Sequence, residues 1–173
     1  MRPGRRRALL IAWLAVGVAP AARAQTAPPL APPQGPPLLT FSGRVLRTNA
    51  PGEARFDQQM LDALPQHTYS TRTPWYPQPR KFTGVLLRDL LAAVGAPGQD
   101  IRAVALNDYR AEIPADDLLS SEVMVAYLLD DQPMRVRDKG PLVVIYPFDS
   151  RRELRTAVHY SRAVWQLHRI EVK

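Results

Sequence analysis

Two segments of the chain carry apolar residues at helical spacing. In the segment that follows Gly84, VLLRDLLAAVG, five apolar side chains share one helix face: Leu86, Leu87, Leu90, Leu91 and Val94. Gly95 then ends the helix, because glycine readily adopts the left-handed conformation of a C-terminal cap. A shorter helix is predicted over RFDQQMLDALP, with Asp57 as its N-cap and Pro65 at its end.

The other apolar residues lie in short runs that are typical of β-strands. Strands are predicted at LLTFSGRVLRT, at His67–Thr73, and then at IRAVALN, YRAEIP, EVMVAYLL, PLVVIYP and AVWQLHRIEV. Turn residues separate them at Asn107–Asp108, Asp130–Pro133 and Lys139–Pro141, and PADDLL indicates one helical turn. Strands outnumber helices and short links dominate, so the pattern predicts an α+β domain rather than alternating βαβ units.

One segment, TRTPWYPQPRKFTG from Thr71 to Gly84, continues beyond the predicted strand without following either period. It combines prolines, two aromatic residues and a group of cationic side chains. Two interpretations stay open: a loop that grips a ligand, or a proline-stiffened connection between two ordinary elements.

The first 24 residues have the organisation of a cleaved secretory signal. Arginines at positions 2, 5, 6 and 7 precede the apolar run ALLIAWLAVGVA, and ARA at 22–24 is a small-residue cleavage site, which predicts cleavage before Gln25. The apolar run is shorter than the roughly 20 residues of a membrane span. Arg6–Leu10 also fits two arginines followed by apolar residues, so twin-arginine export stays open beside general secretion. We expect a periplasmic or secreted protein with no membrane association after cleavage.

The rest of the chain divides into a linker and one domain. Residues 25–37, QTAPPLAPPQGPP, hold six of the 18 prolines and predict a solvated polyproline II spacer. Residues 38–173 then form a single domain of ordinary size.

The net charge and the cysteine content argue against several classes of function. The first 24 residues contain five of the 23 Lys and Arg and none of the 16 Asp and Glu, so the net charge of +7 falls to +2 without them. A charge this small gives no support for nucleic-acid binding. The chain has no cysteine, which excludes disulfides, thiolate nucleophiles and thiolate metal ligands.

Common catalytic and metal-binding motifs are absent from the sequence. There is no glycine-rich phosphate loop, no G-x-S-x-G and no HExxH, and the histidines at 67, 159 and 168 share no metal-ligand spacing. Asp116–Asp117 is interpreted as the first turn of a helix and Asp130–Asp131 as a turn, while His168 is interpreted as a surface position.

The order of several segments resembles that of a known family. TPW is followed by FTGVLLRDLLAAVGA, then VALNDYRAEIPADDL, VMVAYLLDDQPM, DKGPLVVIYPFD and finally YSRAVWQLHRIEV. From about Phe41 to Val172 the chain resembles the molybdopterin-dependent oxidoreductase domain, particularly small exported members that consist of this domain alone. The resemblance implies a sulfite-oxidase-like molybdopterin-binding fold, with mixed β-sheets and a few short helices. It also implies that Trp165 is buried in the closing strand.

Enzymes of this family, as the resemblance implies, hold molybdenum through a pterin dithiolene and one protein cysteine, which precedes the tryptophan of the loop by about four residues. Counting back from Trp75 leads to Thr71. A hydroxyl is a hard donor of high pKa and does not replace a thiolate on molybdenum. We therefore expect no bound cofactor, with molybdopterin as the open alternative.

The resemblance also suggests where a ligand would bind. Arginine suits phosphate or carboxylate recognition, and an aromatic side chain stacks on a flat ring. The candidate binding residues are Arg72, Trp75, Tyr76, Arg80, Lys81, Tyr109, Arg151 and Arg152. The alternative is that the cations are solvated surface side chains. No catalytic residue and no metal ligand is predicted.

These observations lead to two functional hypotheses. The first is an exported domain that lacks the molybdenum ligand and binds a small anionic or aromatic ligand, or a periplasmic partner protein. The alternative is a periplasmic pterin–molybdenum oxidoreductase with a non-cysteine metal site.

Overall fold

The structure is a computed structural model and describes residues 29–173. The predicted signal sequence and the first residues of the predicted linker lie outside the described residues. The strands are β1 (Leu39–Gly43), β2 (Ala54–Phe56), β3 (Gln66–Thr73), β4 (Tyr76–Leu86), β5 (Ile101–Ala105), β6 (Arg110–Ile113), β7 (Met124–Leu129), β8 (Gln132–Pro133), β9 (Val143–Ile145) and β10 (Leu167–Val172). The helices are α1 (Gln58–Asp62), α2 (Leu87–Ala93), α3 (Ala115–Ser120) and α4 (Ala157–Arg162), with 3₁₀ turns at Val136–Asp138 and Arg152–Leu154.

The strands form two sheets. One has the order β2-β1-β10-β5-β6, in which β1 and β10 pair in parallel while the other neighbours are antiparallel. The second has the order β3-β4-β7-β8, with β9 beside β7. Mixed sheets with a few short helices confirm the α+β class. Within residues 29–173, none of the helices has the length and apolar character needed to cross a membrane.

One apolar core draws on both sheets and on α2. Phe41 of the first sheet and Phe82 of the second are both fully buried and belong to the same cluster. The predicted apolar face of α2 is buried as well, at Leu86, Leu87, Leu90, Leu91 and Val94. Burying each of these side chains contributes about 1.5–3 kcal/mol. The helical spacing of the sequence correctly predicted this part of the core.

The predicted N-cap of the first helix and the predicted C-terminal stop of the second are confirmed, whereas α1 ends at Asp62, before the predicted Pro65. The Asp57 carboxylate accepts a hydrogen bond from Met60 N at 2.9 Å and so caps α1. Gly95 follows α2 with a φ of +73°, the left-handed conformation that favours glycine.

Where the structure describes it, the proline-rich segment is mostly exposed, and it is also hydrogen-bonded to the domain. Gln34 N and Gly35 N donate to Asp57 Oδ2 at 2.6 and 2.7 Å, and Asn49 Nδ2 donates to Ala31 O at 2.9 Å. Hydrogen bonds from Met60 N, Gly35 N and Gln34 N lower the pKa of Asp57, although burial opposes them. One carboxylate therefore caps a helix and fixes this segment to the domain.

The segment from Thr71 to Gly84 is a β-hairpin rather than a loop. β3 and β4 pair antiparallel, with Thr73 opposite Tyr76 and an irregularity between Thr71 and Thr73. Proline is tolerated in β4 because β7 pairs with it only from Phe82 onward, so the proline-rich half has a free edge.

Trp165 also lies differently from the prediction. β10 begins at Leu167, and Trp165 precedes it in an isolated bridge to Val143, only partly buried. Gln166 separates Trp165 from the strand with a φ of +53°. The Trp165 indole lies outside the β10 ladder and packs against the rings of Trp75 and Tyr76.

Candidate ligand-binding cleft

Aromatic side chains from distant parts of the chain line one surface cleft. It has a volume of about 290 Å³, and we call it the aromatic cleft. Its lining residues are Trp75, Ala105, Asn107, Tyr109, Tyr160, Ala163, Trp165 and Gln166. Four rings thus surround a space that suits a small planar molecule.

The rings of the aromatic cleft pack edge to face. The Trp75 ring centroid lies 5.1 Å from that of Trp165 and 6.1 Å from that of Tyr160, with interplanar angles of 82° and 83°. Tyr76, which follows Trp75 in the hairpin, packs on the other indole at 6.0 Å. Perpendicular rings support each other and hold fixed orientations.

Tyr109 is positioned by the turn between β5 and β6. Asp108 adopts a φ of +64° there, and Asn107 Oδ1 accepts a hydrogen bond from Tyr109 N at 3.1 Å. The Tyr109 hydroxyl donates to Ser161 O in α4 at 2.7 Å, while 45% of the residue stays exposed. The ring is therefore anchored at its tip and open to the cleft.

Helix α4, which carries Tyr160, is held at both ends. Thr156 caps it, since its hydroxyl accepts from His159 N at 3.3 Å. At the other end Arg162 donates to Asp117 Oδ2 at 2.7 Å, and the same oxygen accepts from the Tyr146 hydroxyl at 2.9 Å. Burial and the nearby Asp117 carboxylate raise the pKa of Tyr146 far above its ordinary value, so its hydroxyl remains a donor.

A second pocket adjoins the aromatic cleft. It has a volume of about 270 Å³ and is lined by Arg72, Thr73, Pro74, Asp149, Arg155 and Tyr160; we call it the arginine pocket. Tyr160 lines both spaces. Asp149 lies between the two cations, 3.9 Å from a terminal nitrogen of Arg72 and 3.0 Å from one of Arg155.

Two buried side-chain atoms in the described part of the chain lack a hydrogen-bond partner: Thr73 Oγ1 and Trp165 Nε1. Thr73 lines the arginine pocket and Trp165 the aromatic cleft. Buried polar groups are nearly always hydrogen-bonded, because an unpaired one costs about 1–3 kcal/mol. Both exceptions therefore fall on residues that line these two neighbouring pockets.

The structure brings only some of the predicted binding residues together. Trp75 and Tyr109 line the aromatic cleft, and Arg72 lines the arginine pocket. Arg80 and Lys81 instead face the turn after β7, where they pair with Asp130 and Asp131 respectively.

Tyr76 belongs to the same region as Arg80 rather than to the cleft lining. The Arg80 guanidinium lies over the Tyr76 ring, 4.7 Å from its centroid. Burial raises the pKa of Tyr76, and the nearby cation partly offsets that effect. The Asp130 carboxylate and the Tyr76 ring thus hold the Arg80 guanidinium in place. These contacts give Arg80 a role in the structure of the domain.

Arg151 and Arg152 lie apart from both pockets. The Arg151 guanidinium donates to Ser120 O at the end of α3. The Arg152 side chain is exposed and makes no hydrogen bond or ion pair with residues 29–173. Their assignment as ligand contacts stays a prediction.

Thr71, which the resemblance predicts to be at the position of the family cysteine, is fully buried in β3. Its hydroxyl oxygen accepts a hydrogen bond from Asp149 N at 3.1 Å and lies 3.4 Å from Arg72 O, to which it donates. Within residues 29–173, no three His, Asp or Glu side chains lie close enough together to hold a metal ion.

Sequence reasoning missed two residues that line the pockets, Tyr160 and Thr73. Tyr160 lies in α4, a helix that was not predicted, although Thr156 is a typical N-cap and signals its start. No local pattern marks Thr73, because its role depends on contacts between distant segments.

The protein is thus an α+β domain with an aromatic cleft beside a pocket that is lined by two arginines. A family model, the oxidoreductase molybdopterin binding domain, matches residues 53–149, more than half of the chain. The chain belongs to this family, which confirms the resemblance noted in its sequence. No curated protein matches the chain.

Proposed function

We propose that this domain is an exported binding module that takes a small planar aromatic ligand in the aromatic cleft. We also propose that the ligand is not held through a bond between molybdenum and a protein side chain. A role in binding rather than in redox chemistry follows from these two features.

The unpaired indole of Trp165 carries the proposal. Its Nε1 is buried and has no partner among the described residues, although the residue lines the cleft. An indole N–H is a donor only, so it needs an acceptor to offset its lost hydration. A carbonyl oxygen or ring nitrogen of a heteroaromatic ligand supplies such an acceptor while its ring packs between the aromatic walls.

Thr71 supports the proposal that no protein side chain is bonded to molybdenum. The chain has no cysteine, and the hydroxyl at the family position is fully buried and already hydrogen-bonded to Asp149 N. The residues present therefore do not fit a molybdenum atom with a protein ligand at this position.

Export is supported by the sequence of residues 1–24, with its arginines, short apolar run and small-residue cleavage site. On this proposal the protein purified from its native host has the mass of a chain that begins at Gln25. A mass that includes residues 1–24 contradicts cleavage.

Tryptophan emission tests ligand binding directly. Of the three tryptophans, one lies in the first 24 residues and the other two line the cleft. We expect unsubstituted pterin to change the emission of the exported protein in a saturable manner. Tyr109→Ala, which removes an exposed cleft wall, should weaken binding about fivefold or more, in line with the loss of one stacking partner.

Leu119→Ala is the matched control, because Leu119 is 65% exposed in α3 and lies outside the cleft. Its affinity for pterin should equal that of the unmodified protein. No saturable change at millimolar pterin, or equal losses in both variants, overturns the proposal. Near-stoichiometric molybdenum in protein from the native host would instead favour the oxidoreductase alternative.

A further inference from the structure

The strands at the ends of the two sheets differ greatly in length. The first sheet ends in β2 and β6, which have three and four residues, and the second ends in β8, which has two residues including Pro133, and in β3, which has eight. Proteins keep edge strands short or place lysine or proline on them, because an open edge pairs readily with another chain. β3 contains neither lysine nor proline.

The backbone of β3 is open over residues 66–70. β3 pairs with β4 alone, and within the described part of the chain the backbone of residues 66–70 makes no hydrogen bond beyond this pairing. Past this stretch the edge is occupied, because the Asp149 carboxylate accepts from Arg72 N at 2.8 Å. Every second residue of a strand directs its N–H and C=O to the same side. Residues 66–70, which we call the β3 edge, therefore present free donors and acceptors.

We propose that the β3 edge pairs antiparallel with the β3 edge of a second copy of this chain, about a two-fold axis. This pairing joins the second sheets of two copies and gives the open backbone groups hydrogen-bond partners. A two-fold interface uses the same surface of both copies, so the edge must be complementary to itself. The dimer does not depend on the proposed ligand site.

The charges of the β3 edge permit this self-pairing. A two-fold pair brings each side chain close to its own copy, and like charges that face each other across strands are destabilising. Residues 66–70 contain no Lys, Arg, Asp or Glu. His67 is directed to Asp89 of the same molecule, with 3.6 Å between Nε2 and Oδ2. The edge therefore brings no repelling charges together.

The exposed side chains of the β3 edge are also suited to an antiparallel partner. Gln66, Thr68 and Ser70 are exposed. The Thr68 hydroxyl lies 2.9 Å from that of Thr83 on β4, which is a cross-strand pair. Threonine and serine pairs of this kind stabilise antiparallel sheets. Because Thr68 is in the middle of the β3 edge, it lies beside Thr68 of the second copy and continues the row of hydroxyls.

The oligomeric state tests the proposal. Analytical ultracentrifugation of the exported protein between about 10 μM and about 1 mM should show a monomer–dimer equilibrium. A single strand pair is a small interface, so the dimer should be weak. Backbone amides of residues 66–70 should exchange their hydrogens more slowly as the protein concentration rises. A monomer throughout this range overturns the proposal and leaves the edge to a strand of a different protein.

Substitutions at the centre of the edge locate the interface. Thr68→Lys and Thr68→Glu should each weaken the dimer about fivefold, because each brings two like charges together. An equal mixture of the two variants should associate more tightly than either alone, since opposite charges then meet. Gln132→Lys is the matched control, because it adds the same charge to the exposed edge strand β8 of the same sheet. Circular dichroism checks that each variant is folded.

Three further outcomes would contradict pairing at the β3 edge. A dimer that both Thr68 substitutions leave intact has its interface elsewhere. Equal weakening by Gln132→Lys shows an effect of net charge. A mixture that associates no better than Thr68→Lys alone excludes the two-fold arrangement.

Discussion

Thr71 and Thr73 of β3 have the same side chain but differ in their hydrogen bonding. Thr71 is fully buried and its hydroxyl accepts the Asp149 N–H, whereas the buried hydroxyl of Thr73 has no partner among the described residues. The first stabilises the fold through a hydrogen bond between distant segments. The second costs stability unless a ligand or solvent molecule satisfies it.

Valine substitutions at these two positions should therefore have different effects on stability. Thr71→Val keeps the shape of the side chain but leaves the Asp149 N–H without its acceptor, so the free energy of unfolding should fall by about 1–2 kcal/mol. Thr73→Val removes an unpaired hydroxyl and should leave stability unchanged or raise it. Urea denaturation of both variants measures the difference, and equal losses would contradict these assignments.

The β3–β4 hairpin is the element that organises the cleft. Its turn places Trp75 against Trp165 and Tyr160, and its inner strand enters the second sheet beside β7. The prolines made the segment look irregular in the sequence. They are accommodated because that half of β4 lacks a second neighbour.

At Gly84 the backbone of β4 lies so close to β7 that it leaves no space for a side chain. A Cβ atom there would lie 2.0 Å from Val125 O, and the register shifts between Thr83 and Gly84. Gly84→Ala should destabilise the domain by about 2–3 kcal/mol, because backbone atoms must move to admit the methyl group. Thermal denaturation measures the loss.

Gly35→Ala is the control for this prediction. The nearest atom to a Cβ at Gly35 is Asp57 Oδ2 at 3.7 Å, an ordinary contact distance. The melting temperature of this variant should stay close to that of the unmodified protein. A Gly84→Ala variant that melts at the same temperature would show that the seam between β4 and β7 has room to relax.

Three tyrosine hydroxyls in and beside the second sheet donate hydrogen bonds to residues that are distant in the chain. Tyr69 donates to Ile145 O at 2.9 Å, Tyr127 to Gln66 Oε1 at 2.5 Å and Tyr146 to Asp117 at 2.9 Å. Burial raises the pKa of each, and that of Tyr127 reaches about 12. The folded state therefore retains these protons at a pH where the unfolded chain loses them.

The stability of the whole domain should fall in alkaline solution. Tyrosines of the unfolded chain ionise near their ordinary pKa of about 10. The free energy of unfolding should therefore decline above about pH 10, with the Tyr127 contribution lost by about pH 12. Urea denaturation between about pH 8 and pH 12 measures the decline across this range. Tyr127→Phe should decline less steeply, and an identical slope would exclude Tyr127 as a cause.

Local patterns were sufficient for several parts of this protein. The apolar face of α2, the cap at Asp57 and the stop at Gly95 depend on neighbouring residues only, and the structure has all three as predicted. The order of segments was sufficient for the family, and the absence of cysteine can be read directly from the composition. Backbone propensity and periodic burial act over a few residues, so sequence alone reveals them.

The aromatic cleft depends on contacts that no local pattern encodes. Trp75, Tyr109 and Tyr160 come from three separate segments, and Trp165 leaves its predicted strand to join them. Pairing with Asp130 and Asp131 decided that Arg80 and Lys81 lie outside the pockets. The packing of distant segments decides which cations remain free and which buried atoms remain unpaired. A charge or hydroxyl finds its partner only in the folded chain.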